Sequence, residues 1–363
     1  MAYGSDETGV ACATTDEWLN EGENGINLMA SQDPFMAILY DNSLEPGGDW
    51  QFEQGTPAEG NKFKYTVYGK GPGNARGVGR ASQTTGYSAA IGDPATNVYW
   101  QWAHYESYCN WNYEDESKNS GKAKMVDLGR LIVDSLVSEM FQLMGYHFWD
   151  QQAGTDRHIQ SVTQALLNTG TVAGIDQTDT TNNAWWNAQH NSDSEALSAV
   201  MFSQLISDCQ VDTPVGNGIA QNYADVGFVP RGHYAVIKDT WLRPSQRQEV
   251  NVMARGGARY IVFDGVRIFR NTKFRTSVYG TDTGAGGTVT VAYPMTENSA
   301  TDRGVILNSR TWGFRYKTKM PDPVTPDFIP VSGKPSMKER GYNWMAGLGC
   351  KSVKHNAMYS NKT

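Results

Sequence analysis

Ala123-Lys-Met-Val-Asp-Leu-Gly-Arg-Leu-Ile-Val-Asp-Ser-Leu-Val-Ser-Glu-Met-Phe-Gln-Leu-Met144 is the stretch on which the reading of the fold turns. Leu128, Ile132, Leu136, Met140 and Met144 recur every fourth residue, and Met125, Leu131 and Leu143 widen the stripe. That is the repeat of one helix face. Asp127, Arg130, Asp134, Ser138 and Gln142 take the other faces. Over 118–150 the pattern predicts a helix of about 25–29 residues, a rod of roughly 40 Å, against the usual three to four turns. The Met-rich stripe reads as core packing rather than a cofactor box.

Ahead of this helix the chain reads as β. Lys62-Phe-Lys-Tyr-Thr-Val-Tyr68 is rich in strand formers, and Val98–Trp111 is the most aromatic run in the protein. Gly69–Gly79 and a Ser/Thr/Gly/Ala stretch to Pro94 lie between them. Residues 48–113 therefore read as one long hairpin, and an isolated hairpin is marginal in water, so it needs another surface to lie on. Residues 1–47 read as an extended arm held by neighbouring molecules, with a short helix at Pro34–Tyr40, where proline opens the first turn.

Beyond Gly145 the elements are shorter. Asp156–Leu167 predicts a short helix, and Ser194–Ser207 a second one capped by Asp193 or Ser194. Strands are expected at Tyr234–Ile237, Tyr260–Phe263, Val266–Phe269, Thr288–Tyr293, Val305–Leu307 and Trp312–Tyr316. Asp264-Gly265, between two apolar runs, is a two-residue hairpin turn. Tyr342–Tyr359 reads as a strand pair. The 363 residues and 39% hydrophobic content suffice for a sizeable core.

Charge is segregated. Residues 1–120 carry 17 Asp+Glu against 6 Lys+Arg, and residues 303–363 carry 3 against 11, within an overall −7. Such ends suit contacts between copies, because complementary potentials guide docking; two solvated faces of opposite sign give the same numbers. The overall charge argues against a surface wholly devoted to nucleic acid. The sequence holds no apolar run long enough for a transmembrane helix and no signal-peptide pattern at its start. Cys12, Cys109, Cys209 and Cys350 lie about a hundred residues apart, without metal-ligand spacing, and read as reduced thiols.

Catalytic motifs are missing. There is no HExxH, GxSxG, Walker or zinc-knuckle pattern. Gly71-x-Gly73-x-x-x-Gly77 departs by one residue from a dinucleotide fingerprint. His104, His147, His158, His190, His233 and His355 form no tight pair in sequence and read as surface or interface residues. Glu114-Asp-Glu116 sits where acids favour a helix N-terminus. No catalytic, cofactor-binding or metal-ligating residue is expected, and no cofactor.

The order of these elements resembles the major capsid proteins of tailed bacteriophages, the HK97-like fold. Gly174-Ile-Asp176 followed by Ala184-Trp-Trp186 is similar to a stretch found after that family's spine helix. Gly256–Phe269 is similar to its "F-x-G-x-P-V" hairpin, with Arg267 where proline is common. Leu307-Asn308 with Trp312–Tyr316, Phe328-Ile-Pro330, Trp344–Gly347 and Cys350–Lys354 resemble its closing segments, in the right order. The resemblance spans most of 97–356; the arm and hairpin match by position and character alone.

The resemblance implies an α+β chain with an N-terminal arm (1–47), an extended β-hairpin or E-loop (48–113), the spine helix of a peripheral domain (114–154), an axial domain (155–300) and return strands of both domains (301–363). It implies a non-enzymatic structural protein of the virion, made in the host cytoplasm, that assembles with itself into the hexamers and pentamers of an icosahedral head around double-stranded DNA. Scaffolding, portal and decoration proteins are further partners on this reading. Basic residues of 303–363 would touch packaged DNA nonspecifically, and no membrane is involved. The hairpin would lie across an adjacent subunit, so Trp100→Ala and Trp102→Ala should harm assembly far more than folding. No Lys–Asn cross-link is expected, since Lys70 has no nameable partner. A β-rich receptor- or glycan-binding tail protein is the alternative, against which the long helix argues; a hydrolase with an unrecognised site is the third class.

Overall fold

The structure, a computed structural model, describes residues 33–40, 53–55, 62–68, 95–112, 122–149, 158–181, 183–210, 223–242, 250–251, 259–271, 303–318, 321–324, 329–331 and 334–360. The helices are α1 (Pro34–Tyr40), α2 (Lys122–Trp149), α3 (Val162–Leu166), α4 (Ala199–Asp208) and α5 (Arg231–Val236). The strands of the first half are β1 (Glu53–Gly55), β2 (Lys62–Tyr68), β3 (Ala95–Gln101), β4 (Ala103–Asn112), β5 (Thr171–Val172), β6 (Ile175–Asp176) and β7 (Gln189–Asn191). Those of the second half are β8 (Val226–Pro230), β9 (Val250–Asn251), β10 (Arg259–Phe263), β11 (Val266–Asn271), β12 (Gly304–Leu307), β13 (Trp312–Tyr316), β14 (Asp322–Pro323), β15 (Ile329–Val331), β16 (Lys334–Cys350) and β17 (Ala357–Tyr359).

Helix α2 runs 28 residues, about 42 Å. In its second half Leu136, Met140 and Met144 are buried, with Val137, Phe141 and Phe148 beside them, while Ser135 and Glu139 are exposed. The fourfold repeat thus marks the packed face there. The side chains of its first half, Leu128 and Ile132 included, lie outside the described residues. The helix rests on a six-stranded sheet built around the 17-residue β16. Strand β4 pairs with one edge of β16 from Ala103 to Asn112. Strands β13, β14 and β15 follow one another along the other edge, and β1 joins β13 in parallel. Phe141 meets Trp344 edge-on at 5.6 Å, and Phe148 meets Phe314 at 6.4 Å. Such ring pairs add to area burial.

A second sheet of seven strands has the order β7-β17-β12-β8-β11-β10-β9. Strand β8 sits at its middle and is buried along its whole length, as a central strand should be. Residues 301–363 feed both sheets: β12 and β17 enter the seven-stranded one, β13 to β16 the six-stranded one. Asp264-Gly265 makes the expected turn between β10 and β11 with φ of 50° and 81°. Both residues at positive φ suit the primed turn that follows strand twist.

Helix α1 lies at the seam of the two sheets. Phe35 touches Phe148 and Trp149 of α2 and Phe228 of β8, with ring centres 4.9–5.3 Å apart. Asp33 accepts hydrogen bonds from the Phe35 amide at 2.9 Å and from Trp149 Nε1 at 2.6 Å. A Cβ on Gly145 would stand 3.2 Å from that of Asp33, so glycine admits the arm. This part of the arm packs into its own chain's core, contrary to the expectation that neighbours hold 1–47; the rest of that segment lies outside the described residues.

Other expectations are corrected. The hairpin ends at Gln101, not at 113: β2 pairs with β3, but β4 belongs to the six-stranded sheet. Trp102 sits between the two strands, where the chain changes sheets. Tyr234–Ile237 is helical, in α5 and the π turn Ile237–Trp241 that continues it. The helix at 194–207 begins only at Ala199, where Ser198 Oγ accepts from the Met201 amide. The helix near 156–167 shrinks to α3, capped by Ser161. Tyr342–Tyr359 is no strand pair, because β16 and β17 lie in different sheets. The expected strand at 288–293 lies outside the described residues.

Candidate functional site

Among the described residues the cysteine thiols are held in inert states. Burial raises the Cys109 and Cys209 thiols and pushes Cys350 up to about 12; a nucleophilic thiol needs the opposite shift. No three His, Cys, Asp or Glu side chains among the described residues are placed to hold a metal ion. Asp225 is pushed up to about 6 by burial, although Ser309 donates to it through both its amide and its hydroxyl. Those bonds make Asp225 a staple between the start of β8 and the turn after β12.

The histidines are not surface residues as a class. His147, His233 and His355 are buried, and His147 stands against His158 with ring centres 4.7 Å apart, a pair that ten intervening residues hide in the sequence. Tyr105 Oη accepts from the Ile159 amide at 3.1 Å and is hydrogen-bonded to His147 Nδ1 at 2.9 Å. Burial first, and then His158, push His147 down to about 3. A neutral imidazole with both neighbours fixed is a joint between β4, the end of α2 and the strap leading to α3.

What the described residues chiefly offer is surface. One face of the six-stranded sheet is covered by α2. The opposite face is divided. At one end the base of the β2–β3 hairpin lies on it: Phe63, Tyr65, Val67, Val98, Trp100 and Trp102 are each at most 7% exposed. Gly347 and Gly349 form the floor, where a Cβ would come within 2.5 Å and 2.7 Å of the Phe63 ring. Lys351 Nζ and the Arg315 guanidinium approach the Tyr65 ring at 5.4 Å and 6.0 Å from its centre, within cation–π range. At the other end the face is open, with Tyr108 73% and Val324 56% exposed on either side of Gly341.

The Trp100 and Trp102 expectation is thereby overturned: these rings fill their own chain's core, so truncating them must injure folding. Alternation in Lys62–Tyr68 was a signal for a one-sided strand, but nothing in the sequence named the glycines of β16 as its seat. Residues 69–94, and with them Lys70 and the Gly71–Gly77 pattern, lie outside the described residues, as does Glu114–Glu116. No helix among the described residues is long and apolar enough to cross a membrane.

No protein-family model matches the sequence, and no curated protein does. Solved structures do match. The chain is similar to one in the capsid asymmetric unit of cyanophage A-1(L), with a TM-score of 0.56 at 9% identity over 86% of this chain and 90% of that one. It is similar to a chain from Mycobacterium phage Bobi, with a TM-score of 0.50 at 10% identity over 88% and 94%. At such identities the likeness speaks for architecture, and the architecture is plain: the chain has the HK97-like fold of phage capsid proteins.

Proposed function

We propose that this chain is the shell-forming subunit of a phage head, assembling with copies of itself into hexamers and pentamers around double-stranded DNA. The observation that carries this reading is the end-to-end correspondence with a capsid chain, 86% of one sequence against 90% of the other, together with the absence of an activated nucleophile or metal cluster among the described residues. On this reading α2 and the six-stranded sheet form the peripheral domain, and the seven-stranded sheet forms the axial domain beside the capsomer axis. The open end of the six-stranded sheet, around Tyr108 and Val324, is free for other subunits. The acidic first third and basic last sixth of the chain supply complementary fields between copies, and some of the basic residues take DNA phosphates. Scaffolding, portal and decoration proteins are the further partners.

Many modest contacts made at once give a closed shell its stability, and the surface buried per copy should exceed the roughly 1,600 Å² of an ordinary complex. The test is expression of the chain alone and with the phage's scaffolding protein, followed by sedimentation and negative-stain microscopy. Shell-sized particles are expected. Discrete monomers under both conditions would overturn the reading, and monomers that bind glycan would favour a tail component.

A further inference from the structure

The end of α2 meets β4 and the strap 158–161 through two histidines and a tyrosine. The buried His147 ring stands against His158 at an interplanar angle of 81°, and its Nδ1 shares a hydrogen bond of 2.9 Å with Tyr105 Oη. The same phenolic oxygen accepts from the amide of Ile159, which is wholly buried. One side chain of β4 therefore holds both the helix and the strap. The contact suits a neutral ring. A protonated imidazole has two N–H donors and no acceptor. Its Nδ1 would have to donate to an oxygen that already accepts from Ile159, and the tyrosyl proton would need a new acceptor inside the core. The added charge would also be buried, beside a second imidazole. Among the described residues the titratable groups facing the ring are Tyr105 from β4 and His158 from the strap, and the neighbour whose charge acts on it is His158. Burial pushes the Tyr105 hydroxyl well up, so it keeps its proton. Past the strap the chain is tied differently. Ser161 Oγ donates to the Phe148 carbonyl at 3.2 Å, and Thr163 Oγ1 to that of Trp149 at 3.0 Å, so α3 stays on the last turn of α2 through bonds that do not titrate.

We infer that the strap 158–160 is an acid-opened latch: a proton taken up by His147 lifts Ile159 from Tyr105 and uncovers the end of α2, while α3 and the two sheets stay in place. Ser161 and Thr163 bound the opening on the α3 side. Their acceptors belong to Phe148 and Trp149, the residues that meet Phe35 of α1, so the latch sits beside the seam of the two sheets. The device goes beyond the shell-forming reading and stands whether or not that reading holds, since it concerns one chain.

Hydrogen exchange read by mass spectrometry tests it on the full-length protein between pH 7 and 5, with the intrinsic rate of each amide at each pH divided out and the amides of α4 as an internal reference. The His147 ring titrates near 3 when covered and near 6.5 when uncovered. Opening of 158–160 should therefore rise about twentyfold from pH 7 to pH 5 while α4 stays still. His147→Gln keeps a hydrogen-bonding group beside Tyr105 and takes up no proton, so its strap should show the same protection at both pH values. A flat profile in the unaltered chain would overturn the inference, and so would an undiminished acid response in His147→Gln. Should that variant fail to fold, Tyr105→Phe decides. It removes the acceptor of the Ile159 amide and keeps the ring, so the strap should exchange faster already at pH 7, and unchanged protection there would mean that the phenol does not hold the strap.

Discussion

Among the described residues, two places lay an aromatic ring on a glycine of a neighbouring strand, and they finish the job differently. In the seven-stranded sheet the Tyr359 ring fills the space above Gly304, where a Cβ would lie 2.5 Å away, and its hydroxyl is hydrogen-bonded to His233 Nδ1 at 2.9 Å. Next to it Asn356 accepts from Trp312 Nε1 and from the Asn308 amide, both at 2.9 Å, and donates to the Ser352 carbonyl at 2.8 Å. In the six-stranded sheet Phe63, Trp100 and Trp102 rest on Gly347 and Gly349, and neither indole N–H has a hydrogen-bond partner among the described residues. Shape alone serves both contacts; only the first is also locked by directed bonds. The lesson is that burial by itself does not separate a contact held by directed bonds from one held by packing, whereas the state of the buried polar atoms does.

The sharpest way to break the comparison is to unlock the locked side. Asn356→Ala leaves the Trp312 indole and the Asn308 amide without acceptors, and should cost about 3 kcal/mol or more in a denaturant melt, because each stranded donor carries its full desolvation penalty. A cost near zero would mean that the network does not hold the two sheets together. Next in size is Gly304→Ala. Tyr359 cannot retreat without losing His233, so overpacking should cost about 1–3 kcal/mol, more than Gly349→Ala, where no hydrogen bond among the described residues fixes the overlying Trp100 ring; equal losses would erase the difference between the two sites.

The effect of acid on the seam is the smallest per step, because it is spread over several pH units. His147 is neutral in the folded chain, pushed down to about 3 from 6.5, so below pH 6.5 protons bind the unfolded chain preferentially. Stability should fall as pH drops from about 6.5 towards 3, by on the order of one kcal/mol for each pH unit, and not change on this account above 6.5. Asp225, pushed up to about 6 by burial, works the other way: its share is complete below about pH 4 and is lost as pH rises to 6. Denaturant melts between pH 7 and 4 should show the acid loss flattened in His147→Gln. An unaltered slope would place the sensitivity elsewhere.

The same contrast explains how much could be seen in the sequence. The long helix was legible because Leu136, Met140 and Met144 repeat a local period, and the turn at Asp264-Gly265 because its chemistry is contained in two residues. Tyr234–Ile237 misled because a short apolar run carries no period to separate strand from helix; three turns of context were missing. Pro34–Tyr40 was legible as a helix, but its place was not, since the Trp149 that holds Asp33 lies 116 residues away. The glycine floor was equally hidden. Gly347 and Gly349 matter because of rings some 250 residues earlier in the chain, and nothing local to either partner announces the match. The pairing of His147 with His158 and Tyr105 is of the same kind.

Strand β16 binds this arrangement together. It carries the glycine floor at its C-terminal end, pairs with β4 through its middle, and ends beside β15 at Lys334. Extended over 17 residues, it reaches up to about 55 Å at roughly 3.3 Å per residue. Because its rungs are shared with four other strands, it acts as a beam: tilting one end obliges the opposite end to move, and no loop intervenes to absorb the motion.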